Sequence, residues 1–255
     1  MTRMYYPVCR SRMGHAIVRA TVGGVRRMGG LQNPYLPFDA LSMEYPAYAG
    51  LATLWSRIHW STGDGMMPQD ELLAVYRLAV EWPVDGDIIE LGAWIGLTTS
   101  YLATACRVRG SGKVWAVDTF AGTMEGDRQY SSVEHHGGST LPEFRGRVDR
   151  AGVADLVEAL PGRTREMADA YPGRPARLLL IDADHSYAGV RDDFNRWLPH
   201  VAPGGVIVFH DYRFPDVARF INQEVVFDSR VAFSPGIIRP NLVAVTKRPP
   251  DDSTE

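Results

Sequence analysis

The chain has 255 residues, a hydrophobic content of 45% and a formal net charge of −3. This length and hydrophobic content suit one large domain or a domain with an extension. The small charge gives no electrostatic argument for a nucleic-acid partner, so none is expected. The only two cysteines, Cys9 and Cys106, are too few for a disulfide framework or a cysteine-based zinc site. No apolar run approaches the roughly 20 residues that span a bilayer. We therefore expect a cytoplasmic protein without a membrane partner.

Residues 1–63 are predicted to form a partly helical N-terminal extension. The first 38 residues contain arginine but no acidic residue, which leaves two interpretations open. Such a segment can be a transit peptide, or it can be a basic arm that folds over the site or over a partner subunit. The second interpretation is compatible with a homodimer or a higher homo-oligomer. Residues 64–247 are predicted to form the main domain, and residues 248–255 a polar tail.

The main domain is predicted to open with a helix from Gln69 to Trp82 and a buried strand that ends at Leu91. Gly92 and Gly96 follow, so the segment is typical of a strand, a glycine-containing turn and a helix. Such a turn lets backbone approach a ligand closely. Glu90, at the end of the strand, can accept hydrogen bonds from an ammonium group or a sugar hydroxyl.

A second predicted strand, residues 113–118, ends in Asp118. In doubly wound sheets an acidic residue at this place binds the two hydroxyls of a ribose, although a solvated aspartate in a loop is the alternative. The polar segment 119–138 follows and contains His135 and His136. It is predicted to be a mobile loop near the ligand, with a metal site as the alternative.

The rest of the main domain alternates strands and helices. The expected strands are 157–160, 178–182 and 206–209, with a turn at 203–205, and the expected helices are 141–151, 165–171, 187–198 and 214–227. Residues 230–233 and 242–246 are predicted to pair as a closing hairpin around Pro235, Gly236 and Pro240. This pattern predicts an α/β fold with a doubly wound, mostly parallel seven-stranded sheet, Rossmann-like, whose last strand is antiparallel.

Polar residues cluster where the predicted strands end. In such sheets ligands bind at the carboxyl ends of the strands, so one cleft can collect Glu90, Asp118, Asp182, His185, His210 and Asp211. Asp182, His210 and Asp211 are a candidate divalent-metal site. The alternative is that Asp182 caps the next helix and binds a cofactor while His210 forms hydrogen bonds in the cleft. His185 is a candidate general base, with a buried structural histidine as the alternative.

At four places the sequence resembles the class I S-adenosylmethionine-dependent methyltransferases. The similar segments are residues 90–96, 117–120, 181–187 and 203–211, and the resemblance extends over about residues 64 to 246. The branch that the chain resembles is that of the small-molecule O-methyltransferases of antibiotic biosynthesis, such as the macrocin and mycinamicin sugar methyltransferases.

The resemblance implies the fold, S-adenosylmethionine as cofactor, a small-molecule methyl acceptor and, in the metal-dependent members, Mg²⁺. It implies His185, Asp182 and Asp211 as catalytic residues and Asp182, His210 and Asp211 as metal ligands. The implied cofactor-binding residues are Met67, Glu90, Gly92, Ala93, Trp94, Gly96, Asp118, Thr119, Phe120, Arg163 and Asp182.

Two positions depart from the family pattern. Trp94 replaces the central glycine of many members, and His210 replaces a carboxylate or similar oxygen ligand, which leaves metal dependence open. Three other functions also stay open: metal-independent N-methylation of an amine, a dinucleotide-dependent oxidoreductase and a non-catalytic cofactor-binding module. The oxidoreductase lacks support because the Gly-x-Gly-x-x-Gly turn is absent.

Overall fold

A computed structural model of the chain describes residues 66–122, 124–125, 128–129 and 133–250. The predicted N-terminal extension, residues 1–63, lies outside these ranges. In the described part the helices are α1 (Gln69–Glu81), α2 (Leu97–Arg109), α3 (Leu141–Ala151), α4 (Thr164–Asp169), α5 (Tyr187–Trp197) and α6 (Pro215–Gln223). The strands are β1 (Asp87–Leu91), β2 (Val114–Asp118), β3 (Met124–Glu125), β4 (Arg128–Gln129), β5 (Val157–Pro161), β6 (Ala176–Ile181), β7 (Val201–Phe209), β8 (Val231–Arg239) and β9 (Leu242–Lys247).

Seven strands form one sheet in the order β5-β2-β1-β6-β7-β9-β8. The first five are parallel, and β9 runs antiparallel to both of its neighbours. The chain moves from β1 through β2 to β5 on one side and then returns to β6 on the other. The strand order therefore reverses between β1 and β6, where α/β sheets bind ligands. The predicted fold class is confirmed.

Helices cover both faces of the sheet. Ile88 of β1 packs in a core cluster with α1, α2 and α3. Its neighbour Ile89 packs in a second cluster with residues of α4, α5 and α6. All of β1 and β6 is buried. Burial on both faces explains why these strands are nearly continuous apolar runs. Among the described helices, none is long and apolar enough to cross a bilayer.

Strand register brings the polar residues into one row. Leu91 pairs with Val117 on one side and Ile181 on the other, and Ile181 pairs with Phe209. The residues that follow these positions share the carboxyl edge of the sheet, and they are Gly92, Asp118, Asp182 and His210. The backbone N–H of Asp182 donates to Leu91 O over 2.9 Å, and that of His210 donates to Ile181 O over 3.0 Å. Backbone hydrogen bonds of the sheet therefore fix the positions of Asp182 and His210 at this edge.

Two predicted turns are wrong. Residues 203–205 lie within β7, where the pairing with β6 shifts register between Ala176 and Leu178 and so accommodates the proline and glycines. The predicted hairpin between residues 230–233 and 242–246 is confirmed and turns at residues 240–241, which include Pro240, but Pro235 and Gly236 lie within β8. Strand β8 is the edge strand and its register with β9 shifts between Ala232 and Gly236, an arrangement that tolerates proline.

Several predicted boundaries also change. Helix α4 spans Thr164–Asp169, which is shorter than the predicted 165–171. The predicted helix 214–227 ends at Gln223, and a separate 3₁₀ turn follows at Val225–Phe227. The segment after Asp118, predicted as a loop, contains the short β3–β4 pair and a 3₁₀ turn at Glu134–His136.

Candidate active site

Two cavities meet at the carboxyl edge of the sheet. The larger has a volume of about 930 Å³ and extends from the ends of β2 and β5 along α5 as far as Arg196. The smaller, of about 60 Å³, lies between the turn after β1, the residues before α1 and the ends of β6 and β7. The two share Gly92, Asp118 and Ala183. One elongated ligand can therefore occupy both.

Gly92 forms the floor where the cavities join. Its φ is +89°, and a Cβ atom there would lie 1.9 Å from the carbonyl oxygen of Asp182. Only glycine fits this close approach of backbones. Gly96 differs, since it precedes α2 and a Cβ atom there would lie 2.9 Å from the ring of Phe144. Gly92 lines both cavities, whereas Gly96 packs against a helix.

Asp118 has a fixed carboxylate. It accepts hydrogen bonds from the backbone N–H groups of Trp94 and Phe120, and both bonds are 2.7 Å long. Burial raises its pKa, and these backbone bonds oppose the rise. The side chain of Phe120 is buried against Phe144, with ring centroids 5.1 Å apart. Phe120 thus contributes its backbone N–H to the site, and its ring lines neither cavity.

Glu90 lies buried beneath the turn after β1. Its Oε2 accepts a hydrogen bond from the Thr99 hydroxyl over 2.5 Å. Its Oε1 has no hydrogen-bond partner within the ranges that the structure describes. Burial raises the pKa of Glu90 to about 8, although the bond from Thr99 opposes the rise. A buried acceptor of this kind suits a ligand that brings a hydrogen-bond donor.

His210 is held between two carboxylates. Its Nδ1 donates to Asp182 Oδ1 over 2.9 Å and its Nε2 donates to Glu71 Oε2 over 2.8 Å. Because a carboxylate only accepts, both ring nitrogens carry hydrogen. Burial lowers the pKa of His210, but the charges and bonds of Asp182 and Asp211 outweigh burial and raise the pKa to about 11. His210 is therefore an imidazolium, which has no lone pair for a metal.

His185 lies beside the small cavity and forms an ion pair. Its Nε2 is 2.8 Å from Asp211 Oδ2 and 3.9 Å from Asp182 Oδ1, and its ring stacks on Phe214. Burial lowers the pKa of His185, but the two carboxylates outweigh burial and raise it to about 10. Hydrogen bonds from His185, His210 and Asn241 lower the pKa of Asp211 well below its usual range, against the effect of burial.

The structure brings the predicted metal ligands together in a different combination. Asp182, His185 and Asp211 have ligand atoms that all lie within 4.8 Å of one another. Two carboxylates and an imidazole are ligand types that bind divalent cations in proteins. His210, which was predicted as a metal ligand, is not part of this cluster, and both of its ring nitrogens contact carboxylates.

Most of the predicted cofactor-binding residues line the cavities. Those that do are Met67, Gly92, Ala93, Trp94, Asp118, Thr119, Arg163 and Asp182. Three do not, namely Glu90, Gly96 and Phe120. Asp182 does not cap α5, because the Ser186 hydroxyl caps it by accepting a bond from the Gly189 N–H over 3.0 Å.

The two adjacent histidines, His135 and His136, have different surroundings. His136 Nδ1 is 2.6 Å from Glu143 Oε2, and its ring meets the ring of Trp94 edge-on at 5.5 Å. His135 is exposed. Among the residues that the structure describes, neither histidine belongs to a metal-ligating cluster. The segment instead adjoins Trp94 and hence the wall of the small cavity.

Sequence reasoning missed two members of the site. Glu71 lies in the predicted helix from Gln69 to Trp82 and was not predicted as a site residue, yet it is 6% exposed and contacts His210. The signal was its spacing, since Glu71 precedes Val75 and Leu78 on the buried face of α1. Asn241 donates to Asp211 Oδ1 over 3.0 Å, and no pattern in the sequence indicates this contact.

Comparison with known proteins finds similarity to methyltransferases. A family model described as a methyltransferase domain matches residues 89–212. The chain is 32% identical over 162 residues to 8-demethyl-8-(2,3-dimethoxy-alpha-L-rhamnosyl)-tetracenomycin-C 4'-O-methyltransferase of Streptomyces olivaceus. That alignment covers 58% of this chain and 61% of the relative, so the chain spans less than two thirds of the relative's length.

Solved structures share the fold. The O-methyltransferase NovP is 20% identical with a TM-score of 0.56, covering 69% of this chain and 79% of its own. Cofactor-bound Rv0187 from MTB is 19% identical with a TM-score of 0.51, covering 86% and 98%. A methyltransferase from Geobacter sulfurreducens is 16% identical with a TM-score of 0.54, covering 79% and 89%. At these low sequence identities, the structural similarity shows that the fold is shared and no more.

Proposed function

We propose that this chain is a class I methyltransferase that transfers a methyl group from S-adenosylmethionine to a hydroxyl of a small natural-product molecule. The observation that carries the proposal is the pair of connected cavities. The larger suits an adenosine group, and the smaller ends at His185, next to Asp182 and His210. We take residues 64–247 as the methyltransferase domain, acting in the cytoplasm.

The residues of the cavities fit the cofactor. Asp118 presents a fixed carboxylate for the ribose hydroxyls, and Gly92 gives the methionine part close access to backbone. Glu90 lines neither cavity, but it lies beneath the same turn, and its Oε1, which has no hydrogen-bond partner among the described residues, is proposed as an acceptor for an ammonium group. When bound, S-adenosylmethionine supplies a methyl group on a sulfonium sulfur, which is open to in-line attack by a hydroxyl.

His185 is the proposed general base. Its imidazole would accept the proton of the acceptor hydroxyl, and Asp182 and Asp211 would stabilise the imidazolium that forms. The same carboxylates hold His185 protonated in the resting site. The residue must therefore lose its proton before each transfer, so the rate should rise with pH. The protein otherwise contributes by positioning the two reactants.

His210 and Glu71 are proposed to hold this arrangement in place. The His210 imidazolium donates to Asp182 and lies 3.3 Å from Asp211 Oδ2. It thus balances part of the negative charge of the two carboxylates next to the base. Since a fixed cation is already present, we propose that transfer proceeds without a metal ion.

A metal-assisted variant has one observation in its favour, the cluster of Asp182, His185 and Asp211. A divalent cation such as Mg²⁺ held there would lower the pKa of an acceptor hydroxyl. It would also occupy His185, so the base would have to be another group. Activity in the presence of a chelator separates the two variants.

The acceptor class is proposed from the curated relative, whose name describes a 4'-O-methyltransferase acting on a rhamnosyl tetracenomycin. We propose a sugar hydroxyl on a natural product as the acceptor here. Trp94, Met66 and Met67 line the small cavity and are placed to contact it. The N-terminal extension and the segment 122–138 are proposed to determine the specificity, and the working form is proposed to be a homodimer.

The experiment is a transfer assay with methyl-labelled S-adenosylmethionine. Label should pass to the sugar of a rhamnosyl tetracenomycin, and mass spectrometry of fragments should place it on oxygen. Label on nitrogen of an amine acceptor would favour N-methylation. Cofactor binding without transfer to hydroxyl or amine acceptors would favour a non-catalytic module.

A further inference from the structure

Asn241 lies in the turn between β8 and β9 and reaches across to the end of β7. Its Nδ2 donates to Asp211 Oδ1 over 3.0 Å, and its Oδ1 accepts from the backbone N–H of Arg213 over 3.1 Å. Because a carboxylate only accepts and a backbone N–H only donates, these partners fix which way the amide faces. Nδ2 also lies 3.4 Å from His210 Nε2, but both nitrogens carry hydrogen, so this contact is not a hydrogen bond.

The partners of Asn241 belong to a tight turn, residues 211–214. The Phe214 N–H donates to the backbone oxygen of Asp211 over 2.8 Å, and the Tyr212 N–H donates to the backbone oxygen of Asn241 over 3.2 Å. Asp211 has a φ of +57°, which is uncommon for any residue except glycine, although aspartate adopts it more readily than most. Such a backbone persists where surrounding contacts hold it. The hydrogen bonds of Asn241 are contacts of this kind.

The turn presents two groups to His185. Asp211 Oδ2 lies 2.8 Å from His185 Nε2, and the Phe214 ring stacks on the imidazole with ring centroids 4.8 Å apart. Asn241 bonds the other oxygen of the same carboxylate. With one oxygen held by Asn241, the second oxygen faces His185. Asn241 is not among the residues that line the two described cavities, so it reaches the site through Asp211.

We propose that Asn241 is a positioning residue of the transfer reaction: its amide orients the Asp211 carboxylate, which in turn orients the His185 imidazole toward the acceptor hydroxyl. The inference rests on the proposed function, because it takes His185 as the base. An amide suits this place because it donates to the carboxylate and accepts from the turn at the same time. An acidic side chain would keep only the bond from Arg213, and an apolar side chain of similar size would lose both.

The test measures transfer of label from S-adenosylmethionine to a rhamnosyl tetracenomycin at saturating concentrations. Asn241→Asp removes only the donor, and Asn241→Leu removes donor and acceptor. Both variants should lower kcat by at least about tenfold, as expected for loss of a hydrogen bond to a charged group. The Kd for S-adenosylhomocysteine should stay within about twofold, as for a substitution away from the cavities. A residue that only braced the turn would leave kcat of Asn241→Asp unchanged.

A double variant tests whether Asn241 acts through Asp211. In the Asp211→Asn background, Asn241→Leu should lower kcat further by no more than about threefold, because the effects of residues that act as a unit do not add. Asn222→Asp is the matched control. Asn222 is exposed on α6 and accepts from the Tyr212 hydroxyl over 3.1 Å, a bond that aspartate can keep. Its kcat should stay within about twofold of that of the unaltered protein.

Histidine NMR gives a readout that needs no acceptor. In protein labelled with nitrogen-15 histidine, the imidazole signals of His185, assigned with His185→Gln, should move in Asn241→Leu and stay in place in Asn222→Asp. Unmoved signals in Asn241→Leu that unfolds cooperatively would overturn the proposal. An unchanged kcat in Asn241→Asp, or full additivity in the double variant, would do so as well. Failure of the unaltered protein to transfer label is a different result, because it contradicts the proposed function, and the NMR comparison still tests the contact.

Discussion

Glu71 and His210 lie 139 positions apart in the sequence, and their side chains meet at 2.8 Å. Glu71 comes from the first turn of α1 and His210 follows β7, and each is 6% exposed. Helix α1 therefore supplies a carboxylate to the edge of the sheet. This contact fixes a positive charge beside Asp182, at the point where a metal ligand was predicted.

Replacing Glu71 should destabilise the fold strongly. Glu71→Ala leaves the buried His210 imidazolium without one of its carboxylate partners, and breaking a buried pair in this way costs about 3–5 kcal/mol. Urea unfolding at pH 7 measures the free energy of unfolding. Asp70→Ala is the matched control, because Asp70 is the preceding residue and its side chain is 66% exposed, and its effect should stay below about 0.5 kcal/mol. Similar losses in the two variants would contradict the account.

His185→Ala should separate catalysis from cofactor binding. Loss of a general base lowers kcat by about 10²- to 10⁴-fold, while the Kd for S-adenosylhomocysteine should change by no more than about threefold. Steady-state kinetics and calorimetry on the same preparation measure both quantities. Loss of cofactor binding with unchanged kcat at saturation would show that His185 serves the binding site instead.

The same base predicts the pH dependence of the rate. The pKa of His185 rises from 6.5 to about 10, so the neutral base becomes more abundant as pH rises. Below that pKa, kcat should increase by about tenfold per pH unit from pH 7 to 9. His185→Gln should remove this dependence. A rate of the unaltered protein that stays level or falls over this range would exclude His185 as the base.

Glu90→Gln should change how stability depends on pH. Burial raises the pKa of Glu90 from 4.5 to about 8, so the folded state keeps a proton that the unfolded state has lost. The free energy of unfolding therefore falls as the pH rises from about 4.5 to about 8. Glutamine stays neutral, so the variant should gain on the order of 1–4 kcal/mol relative to the unaltered protein between pH 5 and pH 9. Urea unfolding without cofactor tests this, and an equal difference at both pH values would contradict it.

Much of the fold could be predicted because its physical causes are local. Strands buried on both faces, such as residues 178–181, are apolar runs, and Gly92 marks the turn where β1 and β6 approach closely. The row that places Asp118 and Asp182 on one edge follows from parallel register. Polar residues at the strand ends therefore predict which edge of the sheet carries the candidate site.

Other features depend on contacts that no local pattern encodes. The role of His210 depends on Glu71, which comes from a helix far away in sequence. Whether His185 or His210 joins Asp182 and Asp211 in the candidate metal cluster is decided by side-chain packing. Pro235 lies within a strand because β8 is an irregular edge strand, whereas the dipeptide Pro235-Gly236 alone indicates a turn.

Chelation should leave the activity intact. Because the His210 imidazolium already supplies a positive charge beside Asp182 and Asp211, we expect transfer rates with EDTA to stay within about twofold of those with added Mg²⁺. Activity that disappears with EDTA and returns with Mg²⁺ would favour the cluster of Asp182, His185 and Asp211 as a metal site. Loss of that recovery in Asp182→Asn would identify the cluster as the place of binding.

The central claim is best tested by calorimetric titration of S-adenosylmethionine and S-adenosylhomocysteine into chelator-treated protein. The account predicts saturable binding of both at one site per chain. Asp118→Ala should weaken both by at least about tenfold, because it removes the acceptor of the ribose hydroxyls. Absence of binding for either ligand, with or without Mg²⁺, in protein that unfolds cooperatively would contradict the account.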